Sequence, residues 1–423
     1  MAAALPAEPV PEVPTSEVAR WREAGGRTVD LLVRAHRLGP VSAVPLGGPP
    51  TVLATSPAAV QQVLARRADR YVKRSHRMKH LLGEGLIAAS GERWQRQRRL
   101  LQPRFTVQGI RRYEQPMRDA ARRTVRDWTD SARTGRPRDL ADDMQRFSFD
   151  VIWRCVTGLP VDEDTRRQWR AADRIVTAVA ALGPAAGHPQ PDAGADLAEV
   201  EAVAERAVAA ARAGSGPSLL DVLFSSGAGQ TPRQIRDELV TLLVAGYETT
   251  ATTLLWLLLL LHEHPDRRTE VLSHGPAGSP ARTEAIRALV RETLRLYPTA
   301  WLMPRHALED DILDGHRIHA GTTVLICPYL THRAPDVWPD PLGFRPGRFL
   351  GRASSSAPGA YHPFGLGPRA CLGAQFSLQE MTILLEALLP AFEFTLEAPP
   401  PEPVFGITIH PDGPAPATIT ARG

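Results

Sequence analysis

The 423 residues, 43% of them hydrophobic, are enough to bury a large core, and the length allows two or three domains or one large one. A formal net charge of +4 is modest for this size, and no nucleic-acid fold signature accompanies it, so nucleic-acid binding is not expected. Cys155, Cys327 and Cys371 stand far apart with no CxxC pair, which excludes a disulfide framework and a zinc knuckle and fits a reducing, cytoplasmic setting.

Residues 1–15 read as a disordered Pro/Ala-rich leader. They lack the basic and apolar regions of a signal peptide. Residues 16–423 read as a single domain. Residues 41–44 and 51–55 suggest a hairpin around LGGPP. Apolar residues recur at helical spacing over 58–67, 116–132, 140–157, 163–179 and 197–211, and another helix starts near Gly91. Glycines and prolines make 181–196 a loop. Thr231-Pro232-Arg233-Gln234 is a strong helix start, with a capping threonine, a first-turn proline and a glutamine that closes a capping box. That helix should run to about Glu263, where Pro265 ends it, for a length of ~48 Å. Its apolar stretch 239–261 is long enough to span a membrane. Glu248 near the middle would be costly in lipid, so it reads as a core helix and no membrane anchor is expected. Strand pairs are expected between 316–318 and 322–326, and between 392–397 and 407–410. Prolines make 328–368 irregular. The fold class is mainly α with small β-sheets.

The stretch FGLGPRACLG, ending at Gly373, carries the chemistry. Gly365, Gly367 and Gly373 permit turns and close approach of backbone to something flat or bulky. Arg369 adds a cation near the sulfur. An amphipathic helix follows, so Cys371 sits just before a helix N-terminus, where amides and dipole stabilise a thiolate. A thiolate is a metal ligand or a nucleophile. Cys155 and Cys327, in contrast, read as buried and inert.

Phe364-x-x-Gly367-x-Arg369-x-Cys371-x-Gly373 resembles the haem-binding loop of cytochrome P450 monooxygenases. The resemblance spans roughly 41–411 and implies one large domain of the P450 fold. It implies haem b, with Cys371 as axial ligand of the iron. Ala245-Gly246-Tyr247-Glu248-Thr249 resembles the oxygen-binding motif of the family. Gly246 removes a side chain where cofactor and O2 approach. The Thr249 hydroxyl can bond the backbone four residues back and loosen the helix, and Glu248 can deliver protons. Glu292 and Arg295 resemble the ExxR signature, and the resemblance implies a buried structural triad with Arg348. Trp94 and Arg98 match a propionate-binding pair; many bacterial members have His in place of the Trp. Arg305 and Arg369 match further propionate positions.

The resemblance implies insertion of one atom of O2 into a C–H or C=C bond of a small molecule. It places Val244, Ala245, Ala300, Trp301, Leu302, Met303 and Phe405 at the substrate pocket, with loop 71–89 and a lid at 181–196. These segments are mostly apolar, which suits a terpene or polyketide-type secondary metabolite. Arg74, His76, Arg77 and Lys79 could instead meet a substrate carboxylate. Electrons would come from NAD(P)H through a separate ferredoxin and ferredoxin reductase. The seven arginines within 93–112 suit an acidic ferredoxin. A monomer is expected. The alternatives are a peroxygenase or isomerase of the same fold, which usually lack the acid/Thr pair, and a non-enzymatic haem-binding protein.

Overall fold

The computed structural model describes residues 8–73, 79–181, 193–214, 218–224, 229–351 and 357–422. The start of the leader, Arg74, His76, Arg77 and most of the proposed lid lie outside the described residues.

Helices dominate, and the longest, Pro232–Glu263, runs through the core. Its capping box forms as the sequence suggests, with Thr231 and Gln234 bonding each other's backbone. It is long and apolar enough to cross a membrane, but 78% of its most apolar window is buried inside the protein. The helices Leu140–Thr157, Gly194–Ala213, Pro280–Leu296 and Ala374–Ala391 pack around it. One short stretch breaks the burial. Ala245, Gly246, Glu248 and Thr249 keep accessible surface while residues 250–261 beyond them are buried. Glu248 is otherwise enclosed by protein, so this surface faces an internal cavity.

The 58–67 region is helical, but it starts as an α-helix at Pro57–Gln61 and widens into a π-turn at Gln62–Arg66. The hairpin Val41–Ala43 with Thr51–Ala54 forms in antiparallel register. It belongs to a five-stranded sheet in which Thr51–Ala54 lies parallel to Thr323–Ile326. Met303–Ala307 and Tyr71–Val72 complete that sheet, with Val72 opposite His306. The register carries Lys73 on toward Arg305.

Two expected strand pairs are wrong. His316–Ile318 pairs with Asp311–Leu313, not with 322–326. The turn between them is Asp314-Gly315, both at positive φ (47° and 85°), the geometry of a two-residue hairpin. Phe392–Leu396 pairs with Pro416–Ala421, and Ile409–Pro411 folds back on Pro403–Phe405. In each case the nearer or more extended partner satisfies more backbone groups.

Candidate active site

Cys371 sits in a tight loop between the three-residue turn Gly367–Arg369 and the helix Ala374–Ala391. Its N–H donates to Phe364 O at 2.7 Å. Gly367 is obligatory here. Its φ is +68°, and a Cβ would stand 2.0 Å from Leu64 O, on the π-turn. Gly373 is different, with an ordinary φ of −84° and a Cβ position that would lie 4.0 Å from Cys371 Sγ, in ordinary contact.

Protein surrounds the Cys371 sulfur, yet the residue keeps exposed surface, so it faces the cavity. Burial pushes its thiol up, while the amides of Gly373 and Ala374 and the charges of Arg98 and Lys73 pull it down. These four groups favour the thiolate.

Arg98 reaches the loop, donating to Ala370 O at 2.9 Å and to Gln102 Oε1 at 3.1 Å. Arg369 donates to Ala89 O, and its guanidinium lies 4.0 Å from the centre of the Trp94 ring. Arg305 is buried, and among the described residues its side chain donates to Pro304 O alone, at 2.9 Å. Lys73 joins them and was not singled out in the sequence; its one signal is scarcity, since Lys73 and Lys79 are the only lysines. Loss of solvation, then Arg305 and Arg369, push Lys73 down to about 8. Burial pushes Arg305 and Arg369 down to about 10. Among the described residues none of these four cations meets a carboxylate. A desolvated cluster of one sign calls for an anionic ligand. The two propionates of a haem supply that charge, beside a cavity-facing sulfur able to bind iron. The residues present fit the group.

Opposite, on the long helix, Thr249 Oγ1 donates to Ala245 O at 2.9 Å. Thr253 repeats the pattern toward Thr249 O and touches Thr299. Gly246 also admits the neighbouring helix: a Cβ there would stand 2.8 Å from Ile152. Glu248 accepts a hydrogen bond from Thr408 Oγ1 at 2.7 Å. Burial pushes its carboxyl up; Thr408 and His410 oppose that. Sequence reading missed Thr408, because nothing local distinguishes a threonine in GITIH.

Val244 is buried beside this stretch, Ala300 is exposed, and Leu302 and Met303 are half-buried. Trp301 is buried and its Nε1–H donates to Gly406 O at 2.9 Å. The Phe405 ring is half-buried and packs against Trp301 and Tyr329, with Arg27 6.0 Å from its centre. Both contacts hold the Pro403–Phe405 hairpin, whose turn carries Thr408.

Glu292 and Arg295 form a fully buried two-point ion pair at 2.8 and 2.9 Å. Arg348 Nε and Arg345 N also donate to Glu292 Oε1. Arg295 spends its remaining N–H groups on the carbonyls of His332, Pro341 and Gly343. This network braces the irregular segment that leads into the cysteine loop.

The fold and this loop define a class. The family model for cytochrome P450 matches residues 20–193 and 198–414, and the chain belongs to that family, whose cofactor is a haem iron. It is 31% identical to a cyclooctat-9-en-7-ol 5-monooxygenase of Streptomyces melanosporofaciens over 88% of this chain and 85% of that one. It is 33% identical to cyclooctatin synthase of the same organism, over 81% and 80%. A putative cytochrome P450 137 of Mycobacterium tuberculosis is 32% identical, over 73% of this chain and 66% of its own length. The haem domain of cytochrome P450DA superposes with a TM-score of 0.87 at 23% identity, covering 99% and 98% of the two chains. Family and relatives together put the chain in the cytochrome P450 monooxygenase class.

Proposed function

We propose that this chain is a haem-thiolate monooxygenase with Cys371 as the iron ligand, inserting one atom of O2 into a terpene-like small molecule. One observation carries the reading: a cavity-facing cysteine beside four desolvated cations that no carboxylate among the described residues neutralises. The haem, when bound, supplies the activation of O2. Lys73, Arg98, Arg305 and Arg369 hold its propionates, with Trp94 stacked beneath Arg369. The amides of Gly373 and Ala374 favour the thiolate against the burial that opposes it. Glu248 and Thr249 hold and pass protons from the long helix. Val244, Ala300, Leu302 and Met303 supply the apolar lining. The terpene assignment is supported by the Streptomyces relatives, one of which acts on cyclooctat-9-en-7-ol by name.

Electrons come from NAD(P)H through a ferredoxin and its reductase. Arg96, Arg99, Arg111 and Arg112 are exposed and offer a basic face to an acidic donor. Arg96→Glu with Arg99→Glu should slow reduction by ferredoxin; unchanged kinetics would remove this face from consideration.

Reduced protein under CO tests the central claim. Thiolate ligation gives a strongly red-shifted Soret band. That band should vanish in Cys371→Ser and persist in Cys155→Ser. A wild-type band at the ordinary position would overturn the reading. Titration of the ferric protein with terpenes, macrocyclic polyketides and fatty acids then tests the substrate class, through a saturable spin-state shift.

A further inference from the structure

Asp173 is a carboxylate that the reading above leaves without a task. It stands on the helix Glu163–Ala181. Trp169, Ala172, Asp173 and Val176 fall at i, i+3, i+4 and i+7, so they share one face. That face points inward. Trp169 and Ala172 are buried, and Val176 packs against the main core. The Trp169 ring lies 6.0 Å from Phe149, and Phe149 lies 5.7 Å from Tyr247. Tyr247 is the residue before Glu248. The ring ladder thus carries Asp173 toward the part of the long helix where Ala245, Gly246, Glu248 and Thr249 line the cavity. Asp173 is half-buried, as Glu248 is.

Asp173 feels the charge of Glu248. Loss of solvation, then Glu248, push Asp173 up to about 7, against Arg170 and Arg174 on its own helix. Neither arginine is bonded to it. Arg170 lies 3.8 Å from Asp142, and Arg174 pairs with Asp196 and Glu199. Glu248 itself is occupied by Thr408, with His410 nearby. Among the described residues nothing donates to Asp173. A desolvated carboxyl without a protein donor is costly unless a ligand supplies one.

Resting on the haem-thiolate reading, we propose that Asp173 recognises the substrate by accepting a hydrogen bond from a hydroxyl or amino group on an otherwise apolar skeleton. The substrate class is then a functionalised terpenoid, an alcohol or an amine, rather than a bare hydrocarbon. Such a site discriminates strongly against an analogue that lacks the donor, because its buried polar group is left unpaired.

The probes are 1-alkylimidazoles of six to twelve carbons ending in methyl, hydroxyl, amino or carboxylate groups. The ring nitrogen binds haem iron and the Soret shift reads Kd. For the wild-type holoenzyme, at the best chain length, a donor-ended probe should bind about tenfold tighter than the methyl-ended one, and the carboxylate weakest. Asp173→Leu should make the methyl-ended probe the tightest. Asp173→Asn should keep a preference for the alcohol and lose one for the amine, which tells the two donors apart. A methyl-ended probe that binds tightest to the wild type at every length overturns the proposal, as does an unchanged ranking in Asp173→Leu. The reduced-CO band is recorded on each protein. A normal band with an unchanged ranking overturns the Asp173 proposal alone. A wild type without the red-shifted band overturns the haem-thiolate reading, and this proposal with it.

Discussion

Thr408 donates its hydroxyl to Glu248 at 2.7 Å across 160 residues of sequence. The bond ties the tip of a β-hairpin to the acid of the long helix. It opposes the burial that pushes the Glu248 carboxyl up. Thr408→Val keeps the shape and removes the donor. The Glu248 carboxyl should then titrate at higher pH still. If Glu248 delivers protons, the limb of the pH–rate profile that it sets should move upward in the variant. The rate of product formation against pH, compared with wild type, checks this. A limb that stays in place would separate Glu248 from proton delivery.

Thr249 spends its hydroxyl on Ala245 O, one turn back, at the open stretch of the helix. Thr249→Ala leaves the fold intact, because the lost bond is local and an alanine suits a helix. Proton delivery should fail while electron uptake continues. The expected outcome is NAD(P)H consumption near the wild-type rate, with most of it appearing as hydrogen peroxide. Full coupling of reductant to product would remove Thr249 from the proton path.

What the sequence makes legible divides by range. The capping box at Thr231 and Gln234 is a four-residue pattern, and it forms as written. The helix Leu140–Thr157 starts and stops where its apolar spacing does, closed by Gly158 in the left-handed region. Strand partners are set by distant chain and are much harder to read. The Asp311–Leu313 strand was missed although Asp314-Gly315 is a strong hairpin signal. Cys371 and the motif around Thr249 are legible because their residue types are unusual and close together. Lys73 and Thr408 are ordinary residues, and only folding brings them to Arg305 and Glu248.

Glu292 holds two arginines and a backbone amide without any exposed surface. Glu292→Gln keeps the size and removes the charge. Arg295 is then a buried cation without a counter-ion, and breaking such a pair costs about 3–5 kcal/mol. A domain stable by ~5–15 kcal/mol loses much of its margin. The yield of soluble haem-loaded protein should fall steeply, and the urea midpoint of what remains should drop. Glu292→Leu with Arg295→Met removes both charges and should recover part of the loss. A single variant as stable as wild type would show that the network is dispensable.

His332 and His362 lie together under the same network, with ring centres 4.9 Å apart and both side chains buried. Loss of solvation pushes His362 down to about 4, and burial, then His362, push His332 well below its usual range. In the unfolded chain both titrate near ~6.5. Between that pH and 4 the unfolded state binds the extra proton, so stability falls as the pH falls. Each unit through this window costs about 1.4 kcal/mol per histidine. Buried acids such as Glu380, whose carboxyl is pushed up by burial, act in the opposite direction over part of the same range. The comparison must therefore be differential. His362→Leu cannot take up a proton, so its urea midpoint should fall less between pH 7 and pH 5 than that of wild type. Equal falls in the two proteins would mean that His362 does not contribute to acid sensitivity.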